Sequence, residues 1–155
     1  MQVRGQAFAD YHFLVNPVWG LQNMPVDLFL ELPLEDRQDA EGYIARLAGI
    51  RPEQLWTDPG FGFGKTPAQN LMLVRNLSQV VALGHPVLLG TSRKSTLGLV
   101  LDEPDPLRRE AAHHATITWG IAQGCAMIRA HDVAALRGII RTADAIRRSP
   151  NGGPG

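Results

Sequence analysis

The sequence predicts an α/β fold made of repeated strand–helix units. From residue 54 onward, short apolar runs alternate with longer segments in which apolar residues recur every three or four positions. The apolar runs end in turns rich in glycine or polar residues, and the run at 86–90 is apolar on both faces, which is typical of a strand in a buried parallel sheet. Together these features indicate parallel strands joined by helices.

The first unit consists of a strand at 54–58, a glycine-rich loop at 59–65 and a helix. Thr66 is a suitable N-cap for that helix, Pro67 fits its first turn, and Gly84 can end it in a left-handed conformation. One apolar stripe is expected along the helix, formed by Leu71, Val74, Leu77, Val80 and Val81.

Two more units follow. The strand at 86–90 leads through the turn 91–94 into a short helix at 95–101, a turn-forming run and a long helix at 107–123. The strand at 126–130 precedes a final helix at 133–148. Before these units, 35–48 is predicted to be helical, whereas 1–34 shows no sustained period. The tail 149–155 is expected to be disordered.

Composition narrows the function class. The 155 residues carry 15 Lys and Arg against 15 Asp and Glu, so the surplus of cations that nucleic-acid binding requires is absent. Apolar runs stay far below the roughly 18 residues of a membrane span, and the N-terminal residues do not read as a secretory signal. Cys125 is the single cysteine and is expected to be a buried, inert thiol. We therefore expect a cytoplasmic protein without nucleic-acid or membrane partners.

The predicted strands end at Asp58, Gly90 and Ala130, and each end is followed by residues able to bind a polar ligand. In parallel α/β folds the ligand lies at the carboxyl ends of the strands. The three loops are therefore expected to meet in one site.

The glycine loop does not match the common nucleotide-binding patterns. Only three residues separate Gly60 from Gly64, one fewer than a P-loop requires, and the glycine spacing also differs from the dinucleotide-binding pattern. A simple turn in which the glycines permit unusual dihedral angles is an open alternative. A phosphate-binding NTPase-like domain would rest on this loop alone.

The other two loops carry cations. Arg93 and Lys94 follow a buried strand and favour an anionic or carbonyl-bearing ligand, although a solvated loop would look similar. Arg129 and His131 alternate on a strand and should project to the same side. Arg129 needs a ligand or an acidic partner, for which Asp58 and Asp132 are candidates.

Adjacent histidines at 113 and 114 could suggest a metal site. Neighbouring helical positions point about 100° apart, and no cysteine or acid completes a zinc-type spacing around them. No metal site is predicted from this pair.

Three ordered segments, 58–66 with Asn70 downstream, 90–95 and 128–133, together resemble dihydropteroate synthase, and the resemblance covers about residues 49–148. That family is a TIM barrel of folate biosynthesis. The resemblance implies that 35–148 is the C-terminal half of a pterin-binding (β/α)8 barrel, or about its last three to four βα units. It also implies that the N-terminal segment 1–34 includes the end of the fifth barrel strand, near 1–5.

The resemblance also implies an activity and a site. The enzyme would be an alkyl transferase that condenses 4-aminobenzoate with 6-hydroxymethyl-7,8-dihydropterin diphosphate and releases diphosphate, with sulfonamides as competitors. Lys94 and Asp58 would be catalytic. Asp58 would bind the pterin, Lys94 would reach the pterin carbonyl, and the aminobenzoate and diphosphate would be bound by Gly62, Phe63, Ser92, Lys94, Arg129 and His131.

Departures from the family pattern leave alternatives open. Mg²⁺ is expected for the family, but the early asparagine that helps bind it has no counterpart here, and the family's Gly-Thr or Gly-Ser is replaced by residues 112–115. A non-catalytic module that keeps the pterin- and anion-binding loops is the main alternative. The open edges of a partial barrel also predict a homodimer or other self-association.

Overall fold

The computed structural model describes residues 13–15 and 51–149. Within them, four short strands run parallel and follow one another in chain order: β1 (Phe13–Val15), β2 (Leu55–Thr57), β3 (Leu88–Leu89) and β4 (Met127–Ile128). β1 pairs with β2, and β3 pairs with β4. A parallel bridge between Thr57 and Val87 connects the two pairs. The α/β class is thereby confirmed.

Helices follow β2, β3 and β4. They are α1 (Pro67–Arg75), α2 (Leu77–Val81), α3 (Ser95–Leu101), α4 (Glu110–Ala122) and α5 (Val133–Arg148). α4 packs on α1 and α3 and, most extensively, on α5. Gly84 and Gly124 have φ values of +92° and +104°, so both adopt the left-handed conformation that glycine reaches at little cost where the chain leaves a helix for a strand.

A core of aliphatic side chains lies between the strands and the helices. Val87 and Leu89 of the β3 segment, on one face, are 1% and 0% exposed, and Leu88, on the other face, is 6% exposed, as expected for a strand buried on both faces. The stripe predicted for the first helix is correct at Val74, Leu77 and Val80. It is wrong at Leu71, which is 42% exposed, because Leu73 is the residue that turns into the core.

The single helix predicted after Thr66 is interrupted at Asn76. The Asn76 side chain donates to the carbonyl of Met72, and its backbone angles, φ −108° and ψ 24°, leave the helical region. Gln123 bridges the break: its Nε2 donates to the Val74 carbonyl at 2.6 Å and its Oε1 accepts from the Ser78 amide at 3.1 Å. One side chain from the end of α4 thus replaces a lost helical hydrogen bond.

The long helix predicted at 107–123 begins later, at Glu110. Pro106–Arg108 instead form a 3₁₀ turn that is capped by Asp105, whose Oδ1 accepts from the Leu107 amide. The side chain of Arg109, at the junction, folds back onto the preceding loop.

The N-terminal predictions are tested only in part. β1 lies within the segment 1–34, where a strand end was expected only near 1–5, and its parallel pairing with β2 adds a strand to the sheet. The predicted helix at 35–48, the strand end near 1–5 and most of the tail 149–155 lie outside the described residues. No helix among the described residues is long and apolar enough to cross a membrane.

Replacing Gln123 by alanine should lower the free energy of unfolding by about 1–3 kcal/mol, because a half-buried carbonyl and an amide lose their partner together. Urea unfolding measured by circular dichroism tests this. Thr142→Ala on exposed α5 removes a hydroxyl that donates only to Gly138 of its own helix, and should cost about 0.5 kcal/mol or less. Equal losses in both variants would show that the bridge between α4 and the helix break contributes nothing.

Candidate active site

The loops that follow β2, β3 and β4 meet at one cleft. Its volume is about 360 Å³, and it is lined by Phe63, Gly90, Ser92, Lys94, Arg129, Ala130 and His131. Five of the residues singled out from the sequence therefore share one surface. The other two, Asp58 and Gly62, contact residues of the lining from behind it.

The glycine loop is closed by its own polar groups. The Asp58 carboxylate accepts from the Gly60 amide at 2.9 Å, and Gly60 has a φ of +67°. Lys65 reaches back so that its Nζ donates to the carbonyls of Gly60 and Phe63 at 2.9 and 3.0 Å. Lys65 thereby holds the loop in a tight conformation that presents Phe63 to the cleft.

Asn70 attaches this loop to the rest of the site. It is 1% exposed, and its Oδ1 accepts from the Gly62 amide at 2.7 Å. Its Nδ2 donates to the hydroxyl of Thr96, in α3, at 3.0 Å. The loop after β2 and the helix after β3 are therefore fixed to each other through one buried amide.

Arg129 finds its partner in Asp58 across the sheet. Their charged atoms, Nη2 and Oδ2, are 3.1 Å apart, whereas Asp132 caps α5 by accepting from the Ala135 amide. The Arg129 guanidinium passes close to Gly90, where a Cβ would lie only 2.9 Å from Nη2. A side chain at position 90 would therefore displace the Arg129 guanidinium from this position.

Lys94 lies over the ring of Phe63, with Nζ 3.6 Å from the ring centroid, which is a cation–π geometry. The aliphatic part of Lys94 passes Gly62, whose φ is +79° and where a Cβ would come within 2.9 Å of Cδ. Gly62 is therefore needed for close packing against Lys94. Phe63 remains 47% exposed, so its ring is available to a ligand.

Ser92 and His131 form a second pair at the opposite side of the cleft. Their Oγ and Nδ1 atoms are 2.9 Å apart, and Ser92 is only 7% exposed. This hydrogen bond sets the orientation of the His131 imidazole through Nδ1, and Ser92 does not bond to Nε2.

Burial lowers the pKa of both lysines at this site. For Lys65 the desolvation is partly offset by the negative charge of Asp58. For Lys94 the positive charge of Arg129 lowers the pKa further, and Asp58 again acts in the opposite direction. Lys65 and Lys94 are the only lysines of the sequence, and both lie here.

Some structural residues of the site were not found from the sequence. Arg109, 9% exposed, donates to the carbonyls of Arg93, Glu103 and Pro104 at 2.6–3.1 Å. His113 is buried under the loop after β3 rather than placed as a metal ligand. Neither was singled out for this role, since His113 contacts Thr91, 22 residues away, and the contacts of Arg109 depend on how the preceding loop folds back. Cys125 is buried, and burial raises the pKa of its thiol.

Side chains that could ligate a metal ion do not cluster among the described residues. No group of three or more His, Cys, Asp or Glu side chains comes together in the described part of the chain. The Asp58 oxygens are engaged by Gly60 and Arg129. The expectation of Mg²⁺ stays a prediction, because the protein ligand implied by the resemblance belongs to the N-terminal half of the barrel, and no step below depends on the ion.

A cleft lined by Ser92, Lys94, Arg129 and His131 lies at the carboxyl ends of consecutive parallel strands, and in this α/β protein such an arrangement suits an anionic ligand. The model of a family described as pterin binding enzyme matches residues 34–131. The chain belongs to this family.

Relatives of known name that are similar to this chain support the same family assignment. The chain is 47% identical over 105 residues to dihydropteroate synthase of Synechocystis, covering 68% of this chain and 36% of the relative. With the Bacillus subtilis dihydropteroate synthase it shares 33% identity, covering 86% and 54%. The chain thus spans about a third to a half of the length of these relatives.

Solved structures give the same picture. Dihydropteroate synthase of Coxiella burnetii, in complex with pteroic acid, matches with a TM-score of 0.72 at 34% identity, covering 82% of this chain and 46% of that one. The Xanthomonas albilineans enzyme with 4-aminobenzoic acid also gives 0.72, at 32% identity, covering 89% and 49%.

The two lysines allow a direct test of this electrostatic arrangement. Both side chains should titrate below the ordinary value of 10.5, as followed by NMR of protein labelled with ¹³C only at lysine. Arg129→Gln should raise the pKa of Lys94, because it removes a neighbouring positive charge, and leave that of Lys65 unchanged.

Asp58→Asn provides the matched comparison, since it should lower both pKa values. An Arg129→Gln variant in which the two lysines move equally would contradict the separate placement of Lys94 beside Arg129.

Proposed function

We propose that this chain supplies the C-terminal βα units of a dihydropteroate synthase barrel, and that its cleft binds the diphosphate and aminobenzoate parts of the substrates. The observation that carries the proposal is the convergence of Lys94, Arg129, His131 and Phe63 on one cleft at the strand ends. The reaction would join 4-aminobenzoate to 6-hydroxymethyl-7,8-dihydropterin diphosphate.

Two features of the fold support a barrel. The strands are parallel and adjacent in chain order, as in a (β/α)8 barrel, whereas doubly wound sheets reverse their order. In the described part of the chain, β4 has a neighbouring strand only on the β3 side, and Met127 is 41% exposed. An edge of this kind favours closure by further strands or self-association.

Lys94 and Phe63 suit the aromatic substrate. An aminobenzoate ring can lie against the exposed face or edge of Phe63 while its carboxylate meets the cations of the loop after β3. Asp58, held by Arg129 and the Gly60 amide, suits the role of accepting hydrogen bonds from an amino-pterin ring. Because Gly62 has no side chain, Lys94 can lie close to the proposed positions of both the aminobenzoate and the pterin.

Arg129 and His131 suit the diphosphate. A guanidinium binds phosphate oxygens in a bidentate manner, and an imidazole N–H adds a further donor. Ser92 contributes by orienting His131 and, as the resemblance implies, by facing the aminobenzoate carboxylate.

The chemistry needs no covalent enzyme intermediate. The bond between the pterin methylene carbon and the diphosphate oxygen breaks, and its electron pair leaves with the diphosphate. The aminobenzoate nitrogen forms the new bond to the methylene carbon and releases a proton to solvent. Cations positioned at the departing oxygens stabilise the charge that develops there, which lowers the barrier.

Arg129→Ala should weaken diphosphate binding by about tenfold or more, because a charge-assisted contact is lost. Isothermal titration of the full chain with inorganic diphosphate measures it. Arg75→Ala, an equal change of charge at an exposed position at the end of α1, is the control and should bind like the parent. Equal loss in both variants would indicate unspecific attraction and would contradict this assignment of the cleft.

Turnover is tested by mixing the chain with the separately produced N-terminal half of the Bacillus subtilis relative, the pterin diphosphate and labelled aminobenzoate. Labelled dihydropteroate should form, and Lys94→Ala should abolish it. Diphosphate binding without product in any such mixture would favour the alternative function, a binding module that does not catalyse.

A further inference from the structure

We infer that His113 is a positioning residue, which holds the loop 91–94 in place through a directed chain of hydrogen bonds from α4. The inference rests on the proposed function only where it concerns ligand affinity. The placement of His113 beneath the loop is independent of that function.

The chain of hydrogen bonds is buried beneath the cleft. Thr91, the first residue of the loop, is 0% exposed, and His113 is 1% exposed. The Thr91 hydroxyl lies 2.9 Å from Nδ1 of His113 and 2.8 Å from the hydroxyl of Thr116. The Thr116 hydroxyl also lies 2.8 Å from the backbone carbonyl of His113.

The direction of every bond follows from what each group can donate. A carbonyl oxygen can only accept a hydrogen bond. The Thr116 hydroxyl must therefore donate its single hydrogen to the carbonyl of His113. Thr116 then accepts from Thr91, which uses the only proton of the Thr91 hydroxyl. The remaining contact must therefore be donated by His113, so its Nδ1 carries the hydrogen.

The other ring nitrogen agrees with this tautomer. Nε2 of His113 is buried and has no hydrogen-bond partner in the described part of the chain. With the hydrogen on Nδ1, Nε2 carries only a lone pair, so no buried donor is left without an acceptor there. Burial lowers the pKa of His113, which favours the neutral ring over the imidazolium.

The loop carries the cleft residues directly after Thr91. Ser92 holds His131, and the Lys94 amide donates to the Thr91 carbonyl at 3.2 Å. Arg93 between them has a φ of +60°, a conformation that non-glycine residues avoid. Because this local geometry is costly, the loop depends on contacts from outside it.

Helix α4 and the residue before it supply those contacts from one face. Arg109, His113 and Thr116 are spaced four and three residues apart, so they project to the same side. Arg109 donates to the Arg93 carbonyl at 3.1 Å, while His113 and Thr116 hold Thr91. Both ends of the strained segment are thus fixed to a single rigid element.

Two substitutions of His113, by asparagine and by leucine, distinguish the contribution of its hydrogen bond from that of the ring volume. In His113→Asn the side-chain amide can take the position of Nδ1–H and still donate to Thr91. In His113→Leu the space is filled but the donor is lost. Thr91→Val cuts the same bond from the loop side, and Thr118→Ala on α4, whose hydroxyl donates only to His114, is the control.

Amide hydrogen exchange of residues 92–95 in the full chain is the first measurement. Exchange should become about tenfold faster in His113→Leu and Thr91→Val, and stay within about threefold of the parent in His113→Asn and Thr118→Ala. Helix α5 reports overall stability and should change little. Equal acceleration in the loop and in α5, or no rescue by asparagine, would overturn the inference.

NMR of protein labelled with ¹⁵N at histidine is the second measurement, and it should show hydrogen on Nδ1 of His113. Hydrogen on Nε2 would overturn the assignment. Titration with inorganic diphosphate then links the loop to the proposed function: affinity should fall by about tenfold in His113→Leu and recover in His113→Asn. Failure of the parent protein to bind diphosphate would count against the proposed function but leave the exchange and NMR results decisive for His113.

Discussion

The geometry of the cleft depends on a buried amide, that of Asn70. An asparagine that is 1% exposed must satisfy its polar atoms within the protein, and it does so with the Gly62 amide on one side and the Thr96 hydroxyl on the other. The Gly62 amide belongs to the loop after β2, and the Thr96 hydroxyl belongs to α3, the helix after β3. Their relative position is therefore fixed before any ligand arrives, and this connection helps to keep Phe63 under Lys94. Preorganisation of this kind is what lets charged groups act without a cost of rearrangement.

The charges that surround the cleft make it suitable for an anion. Asp58 is the carboxylate that faces Arg129, and its charge also acts on Lys65 and Lys94, so one negative group is shared among several cations. Lys65 is engaged by backbone carbonyls, which leaves Lys94 and Arg129 as the cations that line the cleft. Burial lowers the pKa of each lysine because it disfavours the charged form. An anionic ligand would reverse that penalty, which is a physical reason for a diphosphate or a carboxylate to bind here.

Much of this arrangement could be predicted from the sequence, because the period of apolar residues places the strands and parallel strands bring their carboxyl ends together. That reasoning placed Arg129 and Asp58 at the same edge, and glycine at position 90 leaves room for their contact. The break at Asn76 could not be predicted, since the bond that repairs it comes from Gln123, 49 residues away from Val74. The contacts of Arg109 could not be predicted either, because this residue lies within a pattern typical of a helix. Such partners are set by tertiary packing and leave no local signal.

The buried histidine beneath the cleft, His113, makes the stability of the fold depend on pH. His113 is packed near Glu110, His114 and His131, and burial outweighs the carboxylate so that its pKa lies below the ordinary value. The folded protein therefore binds fewer protons at this ring than the unfolded chain does, and this group makes the fold less stable as the pH falls from about 6.5 toward the lowered pKa. Protonation would put a charged N–H at the Nε2 position, which has no partner among the described residues. The loop that bears Ser92 and Lys94 is thus supported by a ring that must remain neutral, beside the Arg109 guanidinium that donates to the Arg93 carbonyl.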